Sequence, residues 1–209
     1  MSITLPPPLI ADSDDNAVAL LRQYYGSTYL DAGCYTGAYF DSWAPQNRAA
    51  DSNRFTADDL VAITFLSVNV TASAARELLV TRAARFAELL DAIGPDRDLV
   101  DEADGLTPDA PILLLEDELR SVGDIGRTIA TKLMARKRPR LVPIYDTVVG
   151  RVLNTVMVHR DPIREALRAD GGALHTRLLR IRADAALPDD ISALRVLDVI
   201  SWMHGKSNN

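Results

Sequence analysis

The chain has 209 residues, of which 47% are hydrophobic and 25% charged, and both fractions are ordinary for a soluble globular protein. This length allows one large domain or two small ones with a substantial core. The formal net charge of −6 does not favour nucleic acid as a partner of the whole surface. The single cysteine, Cys34, excludes an intramolecular disulfide and a four-cysteine metal site.

Residues 1–15 are proline-rich and then acidic, which predicts a flexible N-terminal arm. They lack the charged start and apolar core of a signal peptide, and no apolar run approaches the roughly 20 residues that a membrane span needs. We therefore expect a cytoplasmic protein without membrane association. Residues 16–209 are expected to form a single all-helical domain.

An irregular, aromatic-rich segment follows the first predicted helix, which starts at Asn16 and stops at Gly26. Residues 27–54 hold five closely spaced aromatic side chains: Tyr29, Tyr35, Tyr39, Phe40 and Trp43. Such a cluster can stack on bases or line a pocket. The candidate base pocket consists of Tyr35, Tyr39, Trp43 and the later Tyr145. The alternative is a segment that simply wraps onto the core.

Helix caps and breakers predict the remaining elements. Thr56 predicts the start of a buried helix over 57–70, and Thr71 caps a longer one over 72–93. Residues 96–110 are acidic and turn-rich, typical of a linker. Further helices are predicted over 111–121, 147–159, 162–185 and 191–203, the third of them with a break at Gly171-Gly172. No segment alternates with a period of two, so the expected fold class is all-α, a multi-helix globular domain.

The stretch from residue 119 to residue 151 carries the most specific signals. It holds eight Lys and Arg against two Asp, a net charge of +6, so the rest of the chain sums to −12. A basic patch on an acidic body is typical of a localised polyanion site, and the alternative is a solvated charged turn. Gly123 and Gly126 allow a tight turn between two helices, because glycine tolerates positive φ and close backbone approach. A helix that begins near Gly126 has free amides which, with Arg127, suit a phosphate.

The segment Val122-Gly-Asp-Ile-Gly126-Arg-Thr-Ile-Ala130 resembles the helix-hairpin-helix motif, here over residues 112–138. The motif's pattern is an apolar residue, Pro-Gly, an apolar residue, Gly, three residues and Ala. It binds the duplex backbone through hairpin amides without reading base sequence. The departure is Asp124, which stands where a glycine is usual. The resemblance implies duplex DNA as partner, contacted by Gly123, Ile125, Gly126, Arg127, Thr128, Lys132, Arg136, Lys137, Arg138 and Arg140.

A second resemblance extends the first one. In the DNA glycosylase superfamily built on this motif, an aspartate at a helix start follows the second glycine by about twenty residues. Asp146 lies 20 residues after Gly126, within Ile144-Tyr-Asp-Thr-Val-Val-Gly-Arg-Val152. The resemblance implies that Asp146 is a catalytic carboxylate that stabilises an oxocarbenium-like sugar, with the target base flipped out of the duplex. Bifunctional members have a lysine where Thr128 stands, which implies a monofunctional mechanism without a Schiff base.

Alternatives to this function stay open. Asp146 is also a good helix N-cap, and capping alone would explain it. The three histidines are scattered and no phosphate-binding or dinucleotide motif occurs, so no metal or cofactor is expected. The wider chain looks like an uncharacterised family of actinobacterial proteins. Three functions result: a non-sequence-specific DNA-binding protein, a monofunctional DNA glycosylase, and a helical protein-interaction module without a nucleic-acid role.

Overall fold

The regular secondary structure of the described residues is helical. The computed structural model describes residues 3–26, 35–48, 50–103 and 105–207, and these ranges contain no β-strand. Their α-helices are α1 (Pro7–Ile10), α2 (Asp15–Tyr25), α3 (Ala38–Ser42), α4 (Pro45–Arg48), α5 (Ala57–Thr64), α6 (Ala72–Arg76), α7 (Ala83–Ile93), α8 (Pro111–Arg120), α9 (Arg127–Lys137), α10 (Thr147–Val152), α11 (Arg160–Asp184) and α12 (Ala193–Ser207). The expected all-α, multi-helix fold is confirmed.

One cluster of buried apolar side chains joins these helices. Leu21 of α2, Ile63 of α5, Phe86 of α7, Leu133 of α9 and Val196 of α12 are all fully buried in it. Burial of each such side chain stabilises the fold by about 1.5–3 kcal/mol. Helices α9 and α12 therefore run through the interior, and the polar groups they carry are held in a rigid setting.

Helix α5 begins as predicted but ends earlier. The Thr56 amide donates to Asp59 Oδ2 at 2.8 Å, and the two residues form a capping box. The helix stops at Thr64 because the chain turns at Ser67, which has φ +60°. The predicted helix over 57–70 is thus wrong in its last turns, and the released residues line a cavity instead.

The predicted helix over 72–93 is interrupted in the middle. Thr71 caps α6 by accepting from the Ala74 amide, as expected. A π-helical turn, Glu77–Thr81, follows, and Arg82 leaves helical geometry at φ −114° and ψ 12° before α7 begins. The Arg82 guanidinium reaches Glu118 and donates to Ser121 Oγ at 2.8 Å. The interruption therefore ties α7 to the end of α8.

Helix α10 differs from the prediction, whereas the break in α11 agrees with it. Helix α10 ends at Val152, far short of residue 159, and Asn154 turns the chain with φ +55°. The residues after it, Thr155-Val-Met-Val158, are rich in β-branched side chains, which disfavour helix. The expected break in α11 is confirmed, since backbone φ values of +52° to +84° occur over residues 170–172.

The N-terminal residues lie against the helical body, in contrast to the expected flexible arm. Leu9 is 1% exposed, and the Arg177 guanidinium donates to the carbonyls of Leu9 and Ala11, each at 2.8 Å. The Thr4 amide donates to the Leu153 carbonyl at 3.0 Å. The local sequence does not indicate these contacts, because the arginine that holds the segment lies far along the chain.

The basic run at the end of α9 points inward. Arg136, Lys137 and Arg138 are at most 5% exposed, which corrects the expectation of a solvent-facing basic patch. Lys137 Nζ lies 2.5 Å from Asp59 Oδ2 and donates to the Asp51 carbonyl at 3.0 Å. The Arg136 guanidinium donates to Phe40 O at 2.8 Å.

Arg138 connects two further segments. Its guanidinium donates to Leu90 O and Gly94 O, both at 2.7 Å, at the end of α7. It also donates to Ser52 O at 2.8 Å and to Asn53 Oδ1 at 2.6 Å. The last carbonyls of a helix have no intrahelical donor, so this guanidinium acts as a C-cap for α7. The cationic run thus satisfies backbone carbonyls that would otherwise be buried without donors.

We predict that Asp59→Ala destabilises the protein by about 3–5 kcal/mol, because Lys137 and Arg136 would keep buried charges without their counter-ion. Urea unfolding at neutral pH measures the change in the free energy of unfolding. The matched control is Asp189→Ala, whose side chain pairs with Arg182 but is 98% exposed, and which should cost about 1 kcal/mol or less. Equal losses in the two variants would contradict a stabilising role for the buried pair.

Candidate active site

A cavity of about 250 Å³ opens where α9, α10 and α12 meet the segments that follow α2 and α5. Its charged and polar lining comes from Thr128 and Lys132 of α9, Asp146 at the start of α10, and Arg195 and Asp198 of α12. Small-molecule sites are typically concave and mostly apolar, with a few polar groups that converge. This cavity has that character and is the candidate active site.

Asp146 both caps α10 and lines the cavity. Its Oδ1 accepts from the Val148 amide at 2.8 Å, as an N-cap does. The same half-buried side chain belongs to the cavity wall. The two roles considered for it are therefore compatible, because an aspartate at a helix start can cap with one oxygen and keep its charge near a ligand.

Lys132 brings a buried cation to the same wall. Its side chain is on the inner side of α9, and Nζ donates to Leu66 O at 2.8 Å. Burial lowers the pKa of this ammonium, and the negative charges of Asp146 and Asp198 oppose that shift. The short α5 is what brings Leu66 within reach, since the chain has already left the helix there.

Asp198 is the second carboxyl group of the cavity. Its side chain is 12% exposed and forms an ion pair with Arg195, three residues earlier on α12. Burial raises the pKa of Asp198 to about 6; the Arg195 charge opposes this shift and the Asp146 charge adds to it. Two carboxyl groups in different environments therefore share one cavity.

Arg195 is fixed by a buried network behind the cavity. Its Nε donates to Asp41 Oδ2 at 2.9 Å, and its Nη2 donates to the Tyr24 hydroxyl at 2.9 Å and to Gly37 O at 3.0 Å. A Cβ at Gly37 would lie 1.9 Å from the Tyr24 hydroxyl oxygen, so only glycine fits there. The ion-pair partner of Asp198 is therefore a guanidinium that has little freedom to move.

Aromatic rings form part of the wall, and they include only one residue of the expected base pocket. Tyr35 stacks on Tyr24 with ring centroids 5.6 Å apart, and Trp202 meets both rings edge-on. Tyr39 and Trp43 pack on Phe65 instead and are not part of the lining.

Tyr145, the fourth residue of the expected pocket, is also absent from the lining. Its ring lies under the Arg127 guanidinium, 4.0 Å from ring centroid to Cζ, and beside His159. Tyr29, counted among the aromatic cluster, lies outside the described residues. The cavity therefore has an aromatic wall, but Tyr35 alone provides the predicted part of it.

The turn between α8 and α9 has the expected position but different backbone chemistry. Positive φ occurs at Asp124, at +67°, and not at either glycine. Aspartate is one of the few residues that adopts this conformation readily, and its carboxylate accepts from Thr71 Oγ1 at 3.3 Å. It does not cap α9, whose N-cap is Gly126. A Cβ at Gly123 or Gly126 would meet nothing within 4 Å, so both glycines leave open space outside the turn.

The residues expected to contact DNA divide into two groups. Gly123, Gly126 and the half-buried Arg127 and Thr128 lie at the turn or the first turn of α9. Six others are occupied within the protein: Ile125 is buried in the core, Lys132 lines the cavity, Arg136, Lys137 and Arg138 bond to carbonyls, and Arg140 pairs with Asp98. Arg127 itself donates to Val156 O at 2.9 Å.

Sequence reasoning did not single out the α12 residues of the cavity. Arg195 and Asp198 stand three residues apart in a stretch of α12, residues 193–200, that is otherwise apolar. Charged residues at such positions are almost never fully buried unless they are paired. That spacing was the available signal for a buried ion pair. No local pattern indicates that its partner Asp41 comes from the aromatic segment.

No three His, Cys, Asp or Glu side chains in the described ranges are grouped as a metal site would require. No helix in them combines the length and hydrophobicity needed to cross a bilayer.

Comparison with known proteins gives the chain a family but no activity. A model for a family of unknown function, DUF6308, matches residues 17–205, so the chain belongs to that family. Membership of an uncharacterised family, expected from the wider chain, is confirmed. No curated protein and no solved structure matches the chain.

We predict a pH-dependent contribution of Asp198 to stability. Because its folded-state pKa is raised from 3.8 to about 6, the folded protein binds this proton more tightly than the unfolded chain does. The contribution is therefore fully present below about pH 4 and is lost as pH rises through about 6. Relative to Asp198→Asn, the wild type should lose on the order of 3 kcal/mol of unfolding free energy between about pH 4 and pH 7.

Denaturant unfolding of the two proteins across this range measures the difference. His159, whose pKa burial lowers to about 4, also titrates here with the opposite sign. Its contribution is present in both proteins and cancels from the difference. A difference that does not change with pH would contradict the raised pKa of Asp198.

Proposed function

We propose that this protein binds duplex DNA through the turn between α8 and α9 and hydrolyses an N-glycosidic bond in the adjoining cavity, with Asp146 as the charged carboxylate. One observation carries the proposal. Helix α9 begins at the exposed turn and places Thr128 and Lys132 in the same cavity as Asp146. A single helix thus connects the turn that would bind the DNA backbone to the cavity that holds the candidate catalytic carboxylate.

The resemblance to the helix-hairpin-helix motif supports the DNA-binding half. The first amides of α9 have no intrahelical acceptors, and helix N-termini favour phosphate. The open space at Gly123 and Gly126 would admit a close phosphate. Because Arg136, Lys137 and Arg138 are buried, the contact relies on backbone amides and Arg127, and binding should depend only weakly on salt.

The cavity supports the catalytic half. Cleavage of an N-glycosidic bond passes through a sugar with positive charge, which a nearby carboxylate stabilises. Asp146 is held by the backbone of α10, so little reorganisation is needed as that charge develops. The aromatic wall of Tyr35 and Trp202 suits the flat face of a base taken out of the stack. Thr128 at the position of the lysine nucleophile favours attack by water.

The burial of the cationic run favours a second function. A protein whose basic residues are used internally has an acidic remaining surface, which suits a helical module without a nucleic-acid role. In that case the cavity would take a free small molecule. Direct measurement of duplex binding separates the two functions.

We predict that Gly126→Glu weakens binding to a random-sequence duplex by about 10- to 100-fold, because hydrogen bonds to a charged phosphate contribute about 1.5–3 kcal/mol. Fluorescence anisotropy at low salt measures the affinity. The backbone at Gly126, φ −85°, accepts any residue, and a glutamate at a helix N-terminus should not destabilise the fold. The control Thr176→Glu adds the same charge at an exposed position of α11 and should leave binding near that of the wild type.

Equal affinities of Gly126→Glu and the wild type would rule out the turn as the DNA contact. If the wild type does not bind duplex DNA at low salt, the helical module without a nucleic-acid role is the function that remains.

We predict that Asp146→Asn lowers base release by about 100-fold or more without loss of duplex binding or stability. Asparagine caps a helix as well as aspartate does, so the variant removes the charge and keeps the bond to the Val148 amide. Release of free base from duplexes that carry deaminated, alkylated or oxidised bases measures activity. A variant as active as the wild type would show that Asp146 serves only as a helix cap.

A further inference from the structure

We propose that Asp198 is the proton donor of the cavity and supplies the hydrogen that the departing base takes up. This inference rests on the proposed function and adds a second catalytic residue to it. It assigns the two carboxyl groups opposite tasks, with Asp146 charged and Asp198 protonated when the bond breaks.

The placement of the two carboxyl groups is fixed by close helix packing. Asp146 starts α10 and Asp198 lies on α12, and the two helices touch at a glycine. A Cβ at Gly205 would lie 2.4 Å from Val148 Cγ1 and 2.9 Å from Val152 Cγ2. A residue without a side chain allows this approach, so the spacing of the two helices is set by contact of the Gly205 backbone with the side chains of Val148 and Val152.

The balance of charges around Asp198 favours the uptake of one proton. Three carboxyl groups, Asp41, Asp146 and Asp198, face two buried cations, Arg195 and Lys132. The Arg195 Nε is already committed to Asp41 at 2.9 Å and 3.1 Å, so Asp198 shares a guanidinium that has another partner. One negative charge is in excess, and protonating one carboxyl group removes it.

Asp198 is the group best placed to take this proton. Asp41 accepts from Arg195 Nε with both of its oxygens and from the Tyr25 hydroxyl at 2.9 Å, while Asp146 accepts from an α10 amide. Asp198 is largely buried, and within the described ranges its hydrogen bond comes from the Arg195 guanidinium and not from a backbone amide, in agreement with its pKa of about 6. The remaining charged group of the lining, Lys206, is at the exposed end of α12.

The proposed step balances as a hydrolysis. The bond between sugar C1′ and the base nitrogen breaks, and its electron pair goes to the base. The base takes the proton of the Asp198 carboxyl group, while the Asp146 carboxylate stabilises the positive sugar. Water then adds to C1′ and loses a proton to the Asp198 carboxylate, which restores the starting state. The products are a free base and an abasic sugar.

The test compares single-turnover base release by the wild type, Asp198→Asn and Asp146→Asn between about pH 5 and pH 8. The wild-type rate should fall above about pH 6 as Asp198 ionises. Asp198→Asn should be about 100-fold slower at the low end and nearly independent of pH, with unchanged duplex affinity. A duplex carrying a base that leaves without a proton should be cleaved by Asp198→Asn almost as fast as by the wild type, whereas Asp146→Asn should stay slow.

This last comparison separates a proton donor from a structural residue, which would slow both substrates alike. Asp198→Glu provides a folded alternative if the asparagine variant is unstable, and it should keep the fall in rate at a shifted pH. If Asp198→Asn retains the wild-type rate and pH profile while Asp146→Asn is inactive, the inference is wrong and the proposed function stands. If the wild type binds duplex but releases no base from any substrate, the proposed function and this inference both fall.

Discussion

The fold depends on a set of buried cationic side chains that donate hydrogen bonds to backbone carbonyls. Arg136, Lys137 and Arg138 end a central helix, and their hydrogens satisfy carbonyls from residues 40–53 and from the end of α7. Parts of this segment are irregular, and a buried carbonyl left without a donor costs about 1–3 kcal/mol. The cationic run therefore permits the segment to lie in the interior. Asp41 of this segment holds Arg195 behind the cavity, and Tyr35 and Gly37, just before it, line the cavity.

This arrangement links the scaffold to the site. Helix α9 carries the exposed turn at its start, the cavity lysine Lys132 in its middle and the structural cations at its end. Helix α12 likewise carries two residues of the cavity, Arg195 and Asp198, on a helix that is buried in the core. Elements held on rigid helices place reacting groups more reproducibly than loops do. The charges of the cavity are therefore positioned by the same contacts that stabilise the core.

Local signals in the sequence predicted what depends on neighbouring residues. Thr56, Thr71 and the Gly171-Gly172 pair gave correct starts and breaks, because caps and left-handed glycines act within one helical turn. The failures involve distant partners. Nothing near Arg138 indicates that carbonyls from residues 52, 90 and 94 surround it. Charge in a linear sequence says how many cations a segment has, but not whether they face water.

The contacts of the N-terminal residues have a practical consequence for handling the protein. The Thr4 amide donates to the Leu153 carbonyl, just past the end of α10, and the Arg177 guanidinium donates to the Leu9 carbonyl. Residues 4–9 thus support the helix that Asp146 caps. Trimming these residues to tidy a proline-rich end would loosen that helix at its far side. A truncated protein would then hold Asp146 less firmly while keeping every side chain of the cavity.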